Sequence, residues 1–351
     1  MRIEHLLGIA LIVSSMSTAA RAELMIGGYP PGAGSAHPLR QFSATAQGAA
    51  APIREIAGAA TQLNGPANAS YESSEGLLYV SDFWGQAIRV FPAFASGDVA
   101  PLRTINPPLL GQPRANVPIA ALDELIVIAS NCCIYTFPLH ASGSNVNRIR
   151  SINWGGGSGG ITELNNPFSL IWLPASDEVA VVDYEFTTFE SKVVFHSRLT
   201  DGSAVPTRVL KSVHTANAAG LAHDPVQHKL FLLTYSTSDD VAFTARVRVF
   251  ADTATGLDAP LYSIEGPTTQ LDYQSPDYPA GLGIDRTLHR LMVGIAANGN
   301  AASNKVVSFD LDASGDATPV QVLTGASLSP GSIGIPFSVP LDVLFANGFD
   351  N

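Results

Sequence analysis

A phenylalanine, followed by a polar turn with glycine and then by an apolar strand, recurs along this chain and constrains its fold more than any other feature. The segment reads FPAFASGDVAPLRTI from Phe91 and FADTATGLDAPLYSI from Phe250. Repeats with a period of about 50 residues are typical of chains built from one structural unit. Six units are predicted, because equivalent phenylalanines separated by 49, 46, 58, 55 and 59 residues occur at Phe42, Phe91, Phe137, Phe195, Phe250 and Phe309.

Each unit contains four short apolar runs separated by glycine, aspartate and proline. In the second unit three of these runs are Gly76–Asp82, Ala87–Phe91 and Pro101–Ile105. Their β-branched and aromatic residues favour strands, and four antiparallel strands per unit are typical of a β-propeller blade. The first strand of a unit, which begins with small residues or proline, is predicted at Pro118–Asp123, Pro167–Leu173, Ala218–Asp224 and Pro279–Asp285.

Three kinds of recurring residue have predicted structural roles. Glycine and alanine in the first strands should let neighbouring backbones approach closely around a central channel. The aspartates that follow first strands should stabilise the tight turn into the next strand. The phenylalanines of the third strands should pack between neighbouring blades. The aspartates in question are Asp123, Asp224 and Asp285.

The two ends of the chain complete the predicted ring. Leu24–Gly32, Leu39–Phe42 and Ile53–Ile56 match a second, third and fourth strand, whereas Ser329–Phe337 matches a first strand with nothing after it. Joining these remnants removes exposed sheet edges. The prediction is an all-β, six-bladed β-propeller with four antiparallel strands per blade, closed by three N-terminal strands and one C-terminal strand.

The chain is predicted to comprise a signal peptide (1–22), a propeller domain (23–338) and a C-terminal tail (339–351). The basic Arg2, the apolar run Leu6–Met16 and the Ala20-Arg21-Ala22 cleavage pattern are typical of a signal peptide. The protein is therefore expected to be exported to the periplasm or the cell exterior, as a monomer without a membrane span. Its net charge of −11 argues against nucleic acid as a partner.

The repeats resemble the NHL-type propeller repeats of exported bacterial proteins. FASGDVAPLRTI, LNGPANASYESSEGLLYVSD and GQAIRVF carry the resemblance, which implies a fold rather than one activity. The resemblance extends to gluconolactonase-like propellers, which hold a divalent cation on the ring axis with Glu, Asn and Asp side chains. At the corresponding positions of this chain only Asn68 is a ligand of that kind. No metal and no other cofactor are therefore predicted.

Three further patterns were weighed as sites. Cys132 and Cys133 are adjacent, and a buried apolar pair is the favoured interpretation. A vicinal disulfide is the alternative, and a redox-active pair is disfavoured because the C-x-x-C spacing is missing. Asp310–Gln321 has the spacing of a calcium loop, but a glutamine stands where such a loop needs a bidentate glutamate, which favours a plain turn. His223 and His228 flank a turn that could bring them together, although polar turn residues are the favoured interpretation.

The loops between second and third strands should gather on one face of the ring and could form a recognition surface. We predict a non-enzymatic binding protein, without catalytic residues, that recognises a protein, peptide or glycan through these loops. The alternative is a lactonase- or lyase-like hydrolase with a divalent metal on the axis. The predicted recognition residues are Asp82, Trp84, Tyr184, Tyr235 and Asp239, with Phe186 and Asp240 beside them.

Overall fold

The protein folds into a ring of antiparallel four-stranded sheets. The computed structural model describes residues 22–29, 37–130, 133–154, 160–185, 188, 190–236, 243–274, 276–298, 300–330 and 332–340. The predicted signal peptide up to residue 21 and the last eleven residues of the predicted tail lie outside the described residues.

Five sheets, here called blades 1 to 5, are each made of four strands that are consecutive in the chain. The first strand of each blade lies at the ring axis, where it contacts the first strands of its neighbours. From the axis outward the strands are Pro66–Glu72, Leu77–Asp82, Ala87–Pro92 and Arg103–Ile105 (blade 1); Pro113–Ile119, Glu124–Ala129, Cys133–Pro138 and Arg150–Asn153 (blade 2); Pro167–Leu173, Glu178–Glu185, Glu190–Ser197 and Arg208–Leu210 (blade 3); Ala218–Asp224, Lys229–Tyr235, Phe243–Ala251 and Tyr262–Ile264 (blade 4); and Tyr278–Asp285, Arg290–Ala296, Lys305–Asp310 and Gln321–Thr324 (blade 5).

The two ends of the chain share a further sheet, here called the terminal sheet. Its strands, in order, are Phe337–Pro340, Ala22–Ile26, Leu39–Phe42 and Arg54–Ile56. The blades made of consecutive strands thus number five where the sequence predicted six. The difference arises because the sixth blade would have to come from the terminal sheet, whose strands are contributed by both ends of the chain.

Short elements complete the described structure. Gly28–Tyr29 pairs with Ser332–Ile333, and Asp272–Tyr273 pairs with the start of the third strand of blade 4. Single turns of 3-10 helix lie mostly in the connections between sheets, at Ala59–Thr61, Pro108–Leu110, Ala120–Leu122, Pro267–Thr269 and Ala301–Ser303.

Two first strands lie elsewhere than predicted. In blade 2 the strand is Pro113–Ile119 rather than Pro118–Asp123, because Ala120–Leu122 forms a turn of 3-10 helix. At the C-terminus the strand that joins the terminal sheet is Phe337–Pro340, eight residues later than the predicted start at Ser329.

The third-strand phenylalanines fill the interfaces between sheets, as predicted. All six are fully buried. Phe309 of blade 5 packs with Val247 and Val249 of blade 4. Phe42 of the terminal sheet packs with Met292 of blade 5. The apolar core is therefore divided among the contacts between sheets, which is how repeat proteins derive stability from their neighbours.

The hairpin between the third and fourth strands carries a glycine that bonds to the preceding sheet of the ring. Each glycine has a left-handed φ between 58° and 87°. Its N–H donates to a carbonyl of the preceding sheet at 2.6–2.8 Å, and its carbonyl accepts an N–H from that sheet at 2.8–3.2 Å. These glycine bridges, Gly48–Leu323, Gly97–Ile56, Gly143–Ile105, Gly202–Ile152, Gly256–Leu210 and Gly315–Ile264, run around the ring.

Small residues allow close approach at the axis, also as predicted. A Cβ atom on Gly220 of blade 4 would lie 3.1 Å from the Cα of Gly281 in blade 5, and one on Gly281 would lie 2.7 Å from the Ile335 side chain. The carboxylates of Asp224 and Asp285 accept turn N–H groups at 2.9 Å, which confirms their predicted role.

Cys133, at the start of a strand in blade 2, is disulfide-bonded. Cys132, the other cysteine of the chain, lies outside the described residues. The buried apolar pair that the sequence allowed is therefore replaced by the disulfide interpretation.

Substitution of a bridge glycine tests whether the hairpin needs the left-handed backbone conformation, separately from any steric clash. A Cβ atom on Gly143 would meet nothing within 4 Å. The loss in Gly143→Ala should therefore come from the left-handed φ alone and amount to about 1–2 kcal/mol of unfolding free energy. Gly143→Asn should lose less, because asparagine tolerates this conformation. Equal stability of the alanine variant and the wild type in chemical denaturation would contradict the assignment.

Candidate functional site

The face where second strands end and third strands begin, here called the loop face, carries the predicted recognition residues. Tyr184 and Tyr235 lie in the last two residues of the second strands of blades 3 and 4 and are half-buried. Burial raises the pKa of Tyr235, and the neighbouring Tyr184 raises it further. The structure therefore brings these two predicted residues together on neighbouring blades.

Two aromatic residues that the sequence analysis missed extend this pair. Tyr273 lies in the connection between blades 4 and 5, and its ring centroid is 5.7 Å from that of Phe243. Burial, with a smaller contribution from Tyr235, raises the pKa of Tyr273 to about 12. The four residues Tyr184, Tyr235, Phe243 and Tyr273 are here called the aromatic cluster. The sequence analysis considered only the loops between second and third strands, whereas Tyr273 lies beyond the fourth strand of its blade.

Asp82 does not belong to an exposed surface. Its side chain is fully buried, where one oxygen accepts the Arg89 Nε–H at 2.7 Å and the other accepts the Asn64 N–H at 2.8 Å. Burial raises the pKa of this carboxyl in spite of these bonds. Asp183 occupies the same position in blade 3 and accepts the N–H groups of Asn165 and Asn166. These aspartates hold the connection that leads into their own blade.

The remaining predicted residues lie apart from the aromatic cluster. Trp84 is half-buried in blade 1, which is separated from blade 3 by blade 2, and its ring meets that of Phe83 edge-on with centroids 5.0 Å apart. Asp239, Phe186 and Asp240 lie outside the described residues.

A second candidate site is the axial cavity, which has a volume of about 620 Å³. First strands of all five blades and residues Ile335–Ser338 line it. It reaches the turns between first and second strands, on the face opposite to the loop face. Its polar lining includes Asn68, Ser70, Asn116, Ser169 and Ser338.

Asn116 is the principal polar residue that the sequence analysis missed in this cavity. The prediction placed the first strand of blade 2 too late in the chain, so Asn116 fell outside it. The side chain is 2% exposed and donates to the Tyr79 carbonyl at 3.0 Å and to Ser81 Oγ at 2.9 Å. Its Oδ1 is buried and has no hydrogen-bond partner among the described residues.

The described lining of the cavity does not fit an axial divalent cation. Hard dications need several oxygen ligands, carboxylates above all. The one carboxylate among the described lining residues is Asp285, which already accepts the Leu288 N–H at 2.9 Å. Asn68 and Asn116 add neutral amides only. These residues cannot compensate the charge of a divalent ion.

Two histidine clusters lie near turns, one of them at the axial cavity, where His223 is a lining residue. His223 Nε2 and His228 Nδ1 lie 3.2 and 3.1 Å from the same oxygen of Asp252, so the turn does bring these histidines together. In blade 5, His289 Nε2 lies 2.9 Å from Asp312 Oδ2. Asp312 belongs to the segment with calcium-loop spacing, whose Gln321 instead bonds to Arg290 at 3.2 Å. The segment forms a hairpin with a glycine bridge at Gly315.

The comparisons with known proteins concern the fold. No protein-family model and no curated protein matches the sequence. A chain in the crystal structure of the Nidogen/Laminin Complex matches with a TM-score of 0.58 at 12% identity, covering 90% of this chain and 98% of that chain. The Myceliophteria thermophila Cps50 (Swd1) beta-propeller domain matches with a TM-score of 0.49 at 8% identity, covering 82% of this chain and 80% of that one.

The fold and the first likeness establish a β-propeller with antiparallel four-stranded blades. The narrower NHL-type family is not confirmed by a family model. In the described part of the chain, no helix has the length and apolar character needed to span a membrane.

The burial of Asp82 can be tested against an exposed carboxylate of the loop face. Asp82→Ala removes one partner of a buried ion pair and should lower the unfolding free energy by about 3–5 kcal/mol. Asp272→Ala, at a side chain that is 69% exposed, should cost at most about 1 kcal/mol. Chemical denaturation of both variants gives the comparison. Equal, small losses would indicate that Asp82 is solvent-accessible.

Proposed function

We propose that this protein is an exported, non-enzymatic propeller that binds a polypeptide partner through its loop face. The aromatic cluster carries the proposal. Tyrosines are enriched where proteins recognise proteins, because each side chain combines a large apolar ring with a hydroxyl that needs a partner when buried. Partly buried tyrosines also lose little conformational freedom on binding, since neighbouring blades already position them.

Charge supports a partner of opposite sign. The chain has a net charge of −11, and a net charge of this size steers basic partners toward the surface. The Nidogen/Laminin structure is that of a complex, which is consistent with a propeller that serves as an interaction scaffold. The partner expected is a polypeptide with basic side chains around an apolar or hydroxyl-bearing centre.

The terminal sheet is proposed as the sixth blade, which would close the ring as the sequence predicted. Support comes from both of its edges. Gly48 bonds to Val322 and Thr324 of blade 5, whereas Ala57, just after the last strand of the sheet, bonds to Gly97 of blade 1. Export to the periplasm or the cell exterior rests on the sequence pattern of residues 1–22.

The proposal is tested by partner capture with loop-face variants. The mature protein is used to capture proteins from the periplasmic and external fractions of an expressing cell, and captured proteins are purified and titrated individually. The double variant Tyr184→Ala/Tyr235→Ala should weaken binding of the true partner at least tenfold, which corresponds to about 1.4 kcal/mol.

A tyrosine away from the loop face supplies the control. Tyr262→Ala lies in the outermost strand of blade 4, against Lys229, and should bind like the wild type. Equal losses in both variants would contradict a loop-face site. A stoichiometric divalent ion, together with lactone hydrolysis that chelation abolishes, would overturn the non-enzymatic assignment in favour of the lactonase-like alternative.

A further inference from the structure

The axial cavity has the chemistry of a small-molecule site that is separate from the loop face. We propose that it binds a neutral, hydroxyl-rich ligand of the size of a mono- or disaccharide. Its volume of about 620 Å³ falls within the range of cavities that enclose small organic ligands. Because it opens on the face opposite to the aromatic cluster, a ligand and a loop-face partner could be bound together.

The charged residues around the cavity already have hydrogen-bond or ion-pair partners within the protein. His223 lies 3.2 Å from Asp252, and Arg286 lies 3.8 Å from Asp224. Asp285 accepts a backbone N–H of its own turn. An anionic ligand would find no unpaired cation among the described lining residues, and a cationic ligand would find only Asp285, which already accepts an N–H; either would lose its hydration, which is costly. The arrangement therefore favours an uncharged ligand.

Unsatisfied polar atoms show where the hydrogen bonds of such a ligand would form. Asn116 Oδ1 and Ser338 Oγ are buried, and neither has a hydrogen-bond partner within the described part of the chain. An unpaired buried acceptor is destabilising, and a hydroxyl donor of a ligand would supply the missing hydrogen bond. Asn68 lines the cavity beside them, and its Oδ1 accepts a long hydrogen bond of 3.4 Å from Asn116 Nδ2. Amide and hydroxyl groups both donate and accept, as sugar hydroxyls do.

Two aromatic side chains add apolar contact surface. Tyr71 and Trp172 line the cavity on blades 1 and 3. The Trp172 Nε1–H donates to Asp177 Oδ1 at 3.1 Å, which fixes the orientation of the indole and leaves its ring as the contact surface. Aromatic rings beside amides and hydroxyls match the mixed apolar and polar faces of a saccharide.

The test uses defined sugars with the mature protein. Glucose and maltose are the neutral probes, and gluconate and glucosamine are their charged counterparts; ligand-observed NMR detects binding and calorimetry measures affinity. At least one neutral sugar should bind, and its charged counterparts should bind at least tenfold more weakly. The natural ligand could be a free sugar or the end of a longer saccharide chain, and maltoheptaose distinguishes the two. Binding as tight as that of maltose indicates the end of a longer chain, and no binding indicates a free sugar.

Cavity variants with a matched control complete the test. Asn68→Leu and Trp172→Leu should each weaken binding of the neutral sugar at least tenfold, whereas Trp84→Leu on the loop face should leave it unchanged. If Trp172→Leu fails to fold, as judged by thermal unfolding, Asn68→Leu decides the outcome. The proposal is overturned if neither neutral sugar binds, if charged sugars bind equally well, or if a correctly folded cavity variant binds like the wild type.

Discussion

The hydrogen bonds of the glycine bridges fix the relative position of neighbouring sheets. A blade on its own would end in an unpaired fourth strand, and contact with the next blade would rest on side chains alone. The glycine N–H reaches back to that strand at 2.6–2.8 Å, which satisfies backbone groups that an open edge would leave to solvent. Only a residue free to adopt a left-handed φ suits this hairpin, and this explains why the turn with glycine recurs while its other residues vary.

The bridge glycines, the buried phenylalanines and the axial glycines have structural roles. Residues that could bind a ligand or a partner therefore lie at positions that differ among blades. The position of the buried Asp82 is again an aspartate in blade 3, Asp183, but it is Thr234 in blade 4, where Tyr235 follows. At the axis, Asn68 and Asn116 stand on blades 1 and 2, whereas Gly220 and Gly281 occupy blades 4 and 5. The ring is regular on the outside and asymmetric where ligands would bind.

The repeat predicted the β-propeller fold because its signals are local. Phenylalanine, glycine and the apolar alternation each act within one hairpin, so Pro167–Leu173 and Ala218–Asp224 were placed correctly. Contacts between hairpins were not accessible in the same way. Asp82 was predicted to be a loop residue because its own hairpin does not show that Asn64, in the connection before the blade, donates its N–H to the buried carboxylate. In blade 2 the strand contains two prolines, Pro113 and Pro118, and the pattern alone does not distinguish which of them starts it, so Asn116 fell outside the predicted strand.

Amide hydrogen exchange of the six bridge glycines tests the central claim most directly. Each glycine lies in a surface hairpin, where an unbonded N–H would exchange rapidly. We predict that Gly48, Gly97, Gly143, Gly202, Gly256 and Gly315 are all protected like strand amides. Rapid exchange at the five glycines of blades 1 to 5 would contradict the bridges, and rapid exchange at Gly48 alone would contradict closure of the ring through the terminal sheet.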